Sequence, residues 1–169
     1  MSKGYFNSTS KNMNLTQVAE KILCFIQSNP NGNFKLMVGT DSQLVKTKTC
    51  FATGIVIHNM GNGAWCCVNK SVVTRKIRSL SEKIHMETSM TYQVICELSE
   101  LVTEDILEIL LPYKSTYNLE AHIDVGRKGA TRVLIREMLG YFEGIGIQAK
   151  IKPYSFVAST YANKYSKAV

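Results

Sequence analysis

The 169 residues suffice for one domain with a buried core, and 45% hydrophobic with 20% charged residues is the composition of an ordinary soluble globular protein. No apolar run approaches the roughly 18 residues of a membrane span. The opening Met1-Ser2-Lys3-Gly4-Tyr5-Phe6-Asn7 lacks the apolar stretch of a signal peptide, so a cytoplasmic location is expected. A formal charge of +7 and a pI near 9.2 favour a polyanionic partner. The five cysteines include no C-x-x-C pair and no histidines at zinc-ligand spacing, so reduced thiols are expected rather than a structural zinc.

Residues 1–13 are polar and read as a flexible arm; residues 14–169 read as one domain that begins with an extra helix. In that helix Leu15, Val18, Ala19, Ile22, Leu23 and Ile26 recur at helical spacing, and Asn29-Pro30-Asn31-Gly32 stops it. Strands are predicted over 34–41, 50–58 and 64–74, with a hairpin turn through Asn59-Met60-Gly61-Asn62-Gly63. A long helix follows over 79–103, then a shorter helical piece over 105–111 ended by Pro112. The remaining elements are a strand over 118–124, a helix over 130–142, a strand over 147–152 and a final helix over 157–167.

Hairpin joins make the first three strands antiparallel. Helical crossovers make strands 1, 4 and 5 parallel neighbours, which gives an α/β fold with a mixed five-stranded sheet flanked by helices. Asp41 and Asp124 would then emerge at the same carboxyl edge, where ligand sites of open α/β sheets collect.

Three acids stand in apolar surroundings. Asp41 closes the strand Phe34-Lys35-Leu36-Met37-Val38-Gly39-Thr40-Asp41, and Asp124 closes Asn118-Leu119-Glu120-Ala121-His122-Ile123-Asp124. On a helical projection Leu80, Ile84, Thr91, Val94, Ile95, Leu98 and Val102 fall within roughly 80° of Glu87, while Glu82 and Glu100 fall on the opposite side. Singly, each acid reads as a cap or strand-end carboxylate facing water. Together they suggest a shared site of the kind a divalent cation holds.

The strand order with these acids resembles the ribonuclease H-like superfamily. Val38-Gly39-Thr40-Asp41-Ser42-Gln43, Gly63-Ala64-Trp65, Glu82-Lys83-Ile84-His85-Met86-Glu87-Thr88-Ser89, His122-Ile123-Asp124-Val125-Gly126 and Lys150-Ile151-Lys152-Pro153 resemble the YkuK-type family of predicted ribonuclease H-like proteins. The likeness spans about 34–167. It implies a metal-dependent nuclease acting on RNA or an RNA-containing duplex, with Asp41, Glu87 and Asp124 as ligands to two Mg²⁺ or Mn²⁺ ions about 4 Å apart. Active members of the superfamily usually carry another acid on the last helix. The matching position here is Asn163, which offers a carbonyl oxygen without charge and so weakens the second metal.

Other residues are candidates for substrate. Gly126-Arg127-Lys128-Gly129 could receive phosphate before a helix, although the spacing is not that of a P-loop. The expected substrate contacts are Ser42, Gln43, Arg127, Lys128 and Lys164. Two basic clusters, Arg75, Lys76, Arg78 and Lys83, and Lys150, Lys152, Lys164 and Lys167, could track a nucleic-acid backbone or be solvated faces. His122 reads as a core histidine, His85 as a surface one, and Trp65 and Tyr92 as core aromatics rather than stacking platforms. Two other functions fit the same residues: a weakly active or inactive nucleic-acid-binding module of the same fold, and a hydrolase of small phosphoesters. The second needs no extended basic surface.

Overall fold

The structure is a computed structural model that describes residues 4–126, 129 and 131–162. Its elements are α1 (Leu15–Ser28), β1 (Asn33–Val45), β2 (Lys48–Asn59), β3 (Ala64–Val73), α2 (Leu80–Leu110), β4 (Thr116–His122), α3 (Ile135–Glu143) and β5 (Gln148–Lys150). A 3-10 turn, Arg132–Leu134, leads into α3, and a π-helical segment, Val157–Ala162, follows β5. The sheet order is β3-β2-β1-β4-β5. β1–β2 and β2–β3 are antiparallel, while β1–β4 and β4–β5 are parallel, as the connections predict.

All three helices share one core on one face of the sheet. Val18, Ile22 and Ile26 of α1, Leu36 and Val38 of β1, Ile95 and Leu98 of α2, and Met138 and Phe142 of α3 belong to one buried cluster. Each such side chain contributes about 1.5–3 kcal/mol of transfer free energy. α1 starts at a capping box, in which the Asn14 side chain accepts from Gln17 N and the Gln17 side chain accepts from Asn14 N. The other face is covered thinly. Val157 packs there on Met37 and Val56, and Phe6 packs on Ala52 and Val68.

Several boundaries depart from the sequence reading. β1 runs on through Asp41 to Val45 because β2 pairs with it along the whole length, down to Val45↔Lys48. Asp41 is therefore inside a strand. β4 ends at His122, which leaves Asp124 just beyond it. α2 is continuous, because Ile106 and Leu110 extend the buried row of Leu98 and Val102 at four-residue spacing and override the polar stretch between.

The flexible arm is corrected as well. From Gly4 on, the segment docks on the outer edge of β3: Phe6 and Val68 exchange both backbone hydrogen bonds at 2.9 Å, and Tyr5 and Met13 are buried. An edge strand otherwise left open gains a partner this way. The final predicted helix is π-helical over its described part, and 163–167 lies outside the described residues. The five cysteines are free.

Candidate active site

β1 and β4 bring two of the acids together. Their parallel pairing ends at Gly39↔His122. Two residues further along each chain stand Asp41 and Asp124, at the same level of the carboxyl edge. Strand alternation turns Asp41 to the face that carries Met37, away from α2. Burial pushes the Asp41 carboxyl above its ordinary value, and the Asp124 charge adds to the push; the Ser42 backbone N–H, Lys83 and Lys152 act the other way. Asp124 is itself held by an ammonium, with Lys152 Nζ 2.8 Å from its Oδ1.

Glu87 approaches from the α2 side. It is 9% exposed, and burial pushes its carboxyl up to about 7. Ser42 opposes that shift by donating its hydroxyl to Glu87 Oε1 at 2.5 Å; Asp41 and Asp124 raise it further, and Lys83 lowers it. The bond belongs to a buried polar seam between β1 and α2. One turn further along α2, Thr91 donates to Thr40 Oγ1 at 2.9 Å, and Thr40 is hydrogen-bonded to Thr53 at 2.9 Å. The Thr91 hydroxyl within the apolar stripe is thereby explained: the strand opposite supplies its acceptor.

The three acids thus share one electrostatic neighbourhood with Lys83 and Lys152. Three carboxylates against two ammoniums leave one negative charge when all are ionised. Among the described residues, no three His, Cys, Asp or Glu side chains stand close enough to hold a metal ion as they are. Glu87 is turned to Ser42, and Asp124 to Lys152. The donor chemistry nevertheless fits a hard divalent cation, since all three offer carboxylate oxygens and both burial and the Asp124 charge disfavour the Asp41 anion without one.

Other expected site residues are placed as follows. Ser42 is buried and committed to Glu87. Gln43 is half-buried on β1 opposite Cys50. Asn163, Arg127, Lys128 and Lys164 lie outside the described residues. His122 is a core histidine, 1% exposed, and burial lowers its pKa. His85 bridges α2 to α3 through Glu137 Oε1 at 2.9 Å. Trp65 and Tyr92 pack on the helical core, Tyr92 against Phe142 with ring centroids 5.8 Å apart. Lys83 and Lys152 stood out in the sequence only as members of basic clusters. Their role as counter-charges to the acids depends on α2 and the segment after β5 meeting at one edge.

Among the described residues no helix is long and apolar enough to cross a membrane. The chain is 37% identical over 166 residues to the uncharacterized protein YkuK of Bacillus subtilis (strain 168), covering 96% of each. No solved structure matches it. The family described as ribonuclease H-like matches residues 17–167, and with the mixed sheet and its strand order this establishes that the chain belongs to the ribonuclease H-like family.

Proposed function

We propose that the protein is a metal-dependent phosphodiesterase that hydrolyses RNA or an RNA-containing duplex at the β1–β4 carboxyl edge. The observation that carries this reading is the Asp41–Asp124 pair: two carboxylates at one level of the sheet, one of them raised by burial and by the other. A site that holds like charges together at a cost in stability is organised for a cation. Asp41, Asp124 and Glu87 would hold one or two Mg²⁺ or Mn²⁺ ions, with Asn163 as a neutral fourth ligand. When bound, the metal supplies activation of water and stabilisation of the leaving oxygen.

The chain's own groups supply the rest. Lys152 and Lys83 offset the charge of the acids, and the Ser42 hydroxyl holds the Glu87 oxygen that would otherwise be open to a cation. Arg127, Lys128 and Lys164 are assigned in this reading to the phosphate backbone, and Gln43 to the substrate beside Asp41. Incubation of the purified protein with labelled RNA, DNA and RNA/DNA hybrid, in Mg²⁺, Mn²⁺ or EDTA, tests it. Cleavage of the RNA-containing substrates that EDTA abolishes is the expected result; cleavage indifferent to EDTA overturns it.

A second reading is a nucleic-acid-binding module of the same fold with little or no turnover. The Ser42–Glu87 bond favours it, because an acid satisfied within the protein is one ligand fewer for a metal. Salt-dependent binding of the same substrates without cleavage in either metal would select it.

A further inference from the structure

The sheet face opposite α2 carries a concavity of about 270 Å³, lined among others by Lys35, His58, Glu120, Lys150, Tyr154 and Phe156. Met37, four residues before Asp41 on β1, also lines it, so the pocket begins about 13 Å from that acid along the strand. None of Asp41, Glu87 and Asp124 lines it.

Its floor is built around one buried imidazole. His122 Nδ1 accepts from the Phe156 backbone N–H at 3.2 Å, which leaves the ring proton on Nε2, facing Glu120 Oε2 at 3.3 Å. The same ring stands edge-on to Phe156, with centroids 4.8 Å apart. His122 therefore fixes both an aromatic wall and the floor carboxylate. Glu120 is 4% exposed, and its other oxygen lies 3.5 Å from Lys35 Nζ. A carboxylate has about four acceptor sites, so these two partners leave room for further donors.

The walls and rim define the ligand. Tyr154 is 72% exposed and Phe156 39%, an unusual exposure for two rings on one short segment. Ammonium groups beside open aromatic faces take a nucleobase by its face and the attached phosphate by its charge. The buried acceptor then favours a base edge that donates: guanine presents adjacent imino and amino N–H groups, uracil a single imino N–H. A basic peptide would suit Glu120 but meets Lys35 and Lys150 on the way in. The volume falls just below the roughly 300 Å³ at which pockets for larger ligands begin, which suits one base rather than a dinucleotide.

We propose that this pocket is a nucleotide subsite that seats one base of a single-stranded nucleic acid, guanine in preference to uracil. The inference rests on the nucleic-acid reading above only for the nature of the polymer, and its test needs no cleavage. Met37 and Met60 line the pocket, whereas Met13 and Met138 lie in the helical core. Full-length metal-free protein carrying ¹³C-methyl methionine is titrated with GMP, UMP and inorganic phosphate. Saturable ring-current shifts of Met37 and Met60 with GMP are expected, with Met13 and Met138 still. UMP should bind at least about fivefold more weakly, and Tyr154→Ala should weaken GMP by about fivefold or more, the low end of what base–aromatic stacking supplies. Because Tyr154 is exposed, that variant leaves the core intact, which the Met13 and Met138 signals report. Silence of Met37 and Met60 at millimolar GMP, an equal response to phosphate alone, equal affinity for the two nucleotides, or undiminished binding by Tyr154→Ala overturns the proposal. Pocket binding without nuclease activity would sink only the nuclease reading; cleavage with a silent pocket would sink only this one.

Discussion

Ser42 on β1 donates its hydroxyl to Glu87 Oε1 on α2 at 2.5 Å, inside a seam where both residues are buried. The bond stabilises the charged form of Glu87, yet burial outweighs it and the carboxyl sits at about 7 rather than 4.5. In the metal-free protein, Glu87 is therefore about half protonated near neutrality.

The sign of the pH effect follows. A folded-state pKa raised above the unfolded one means that the native state holds the proton more tightly between the two values. The stability this contributes is complete below pH 4.5 and is lost as pH rises through about 7, on the order of 3 kcal/mol in all. Glu87→Gln mimics the protonated form. In EDTA its stability relative to wild type should rise across that window and level off above it. Urea titrations of both proteins from pH 4.5 to 8 give the comparison, and a constant difference would show that Glu87 is not shifted.

Ser42→Ala removes a hydrogen bond that favours the Glu87 anion. Its titration, followed by the ¹³C carboxyl resonance, should move higher still, and metal binding at pH 7 should release more protons than in wild type. An unmoved midpoint would mean that the hydroxyl does not act on the carboxylate in solution.

Asp41→Asn should abolish metal-dependent cleavage. In EDTA it should also raise the melting temperature, because burial and the Asp124 charge both penalise the Asp41 anion. Scanning calorimetry with and without Mg²⁺ separates the two effects: the gain belongs to the metal-free protein and should shrink with the cation present. A lowered melting temperature in EDTA would mean that Asp41 is held by favourable contacts instead.

What the sequence made legible was the part governed by local pattern. Glycine and asparagine between two strands gave the β2–β3 hairpin, and the alternation of strands with helices gave the parallel pairing that sets Asp41 beside Asp124. The Glu87 position in the stripe of α2 was readable for the same reason. The Ser42–Glu87 bond was not, because it depends on which residue of a strand lies under which turn of a helix. Nor was the docking of Tyr5 and Phe6, two aromatics in a polar stretch whose partners lie on β3 and the core, far away in sequence. The continuity of α2 past Thr103 was hidden by local polarity and decided by the burial of Ile106 and Leu110.

Lys152 offers a test of charge at the site. Its ammonium lies 2.8 Å from Asp124 Oδ1, where it competes with any cation that Asp124 would ligate. Lys152→Gln should tighten Mn²⁺ binding to the protein alone, measured by calorimetry. The same change should weaken nucleic-acid binding and flatten its log–log salt slope by about one if the ammonium also meets a phosphate. Metal affinity that falls with the substitution would mean that Lys152 positions Asp124 rather than competing for it.

In the proposed reading, Asn163 takes the place of the acid that active members of the superfamily usually carry on the last helix. A site with this residue as fourth ligand holds its second metal with one negative charge fewer. Turnover should then be slow with Mg²⁺ and better with Mn²⁺, which generally binds oxygen and nitrogen ligands more tightly. Asn163→Asp restores a charged oxygen, so it should lower the Mg²⁺ concentration needed for half-maximal rate and raise the rate itself. Single-turnover cleavage across a Mg²⁺ titration compares the two proteins under conditions where product release cannot mask the chemistry. The same titration with Asp41→Asn as background shows no rescue if the two residues serve one metal cluster. Identical Mg²⁺ dependence for wild type and Asn163→Asp would remove Asn163 from the ligand set and leave Asp41, Glu87 and Asp124 to carry the metal alone.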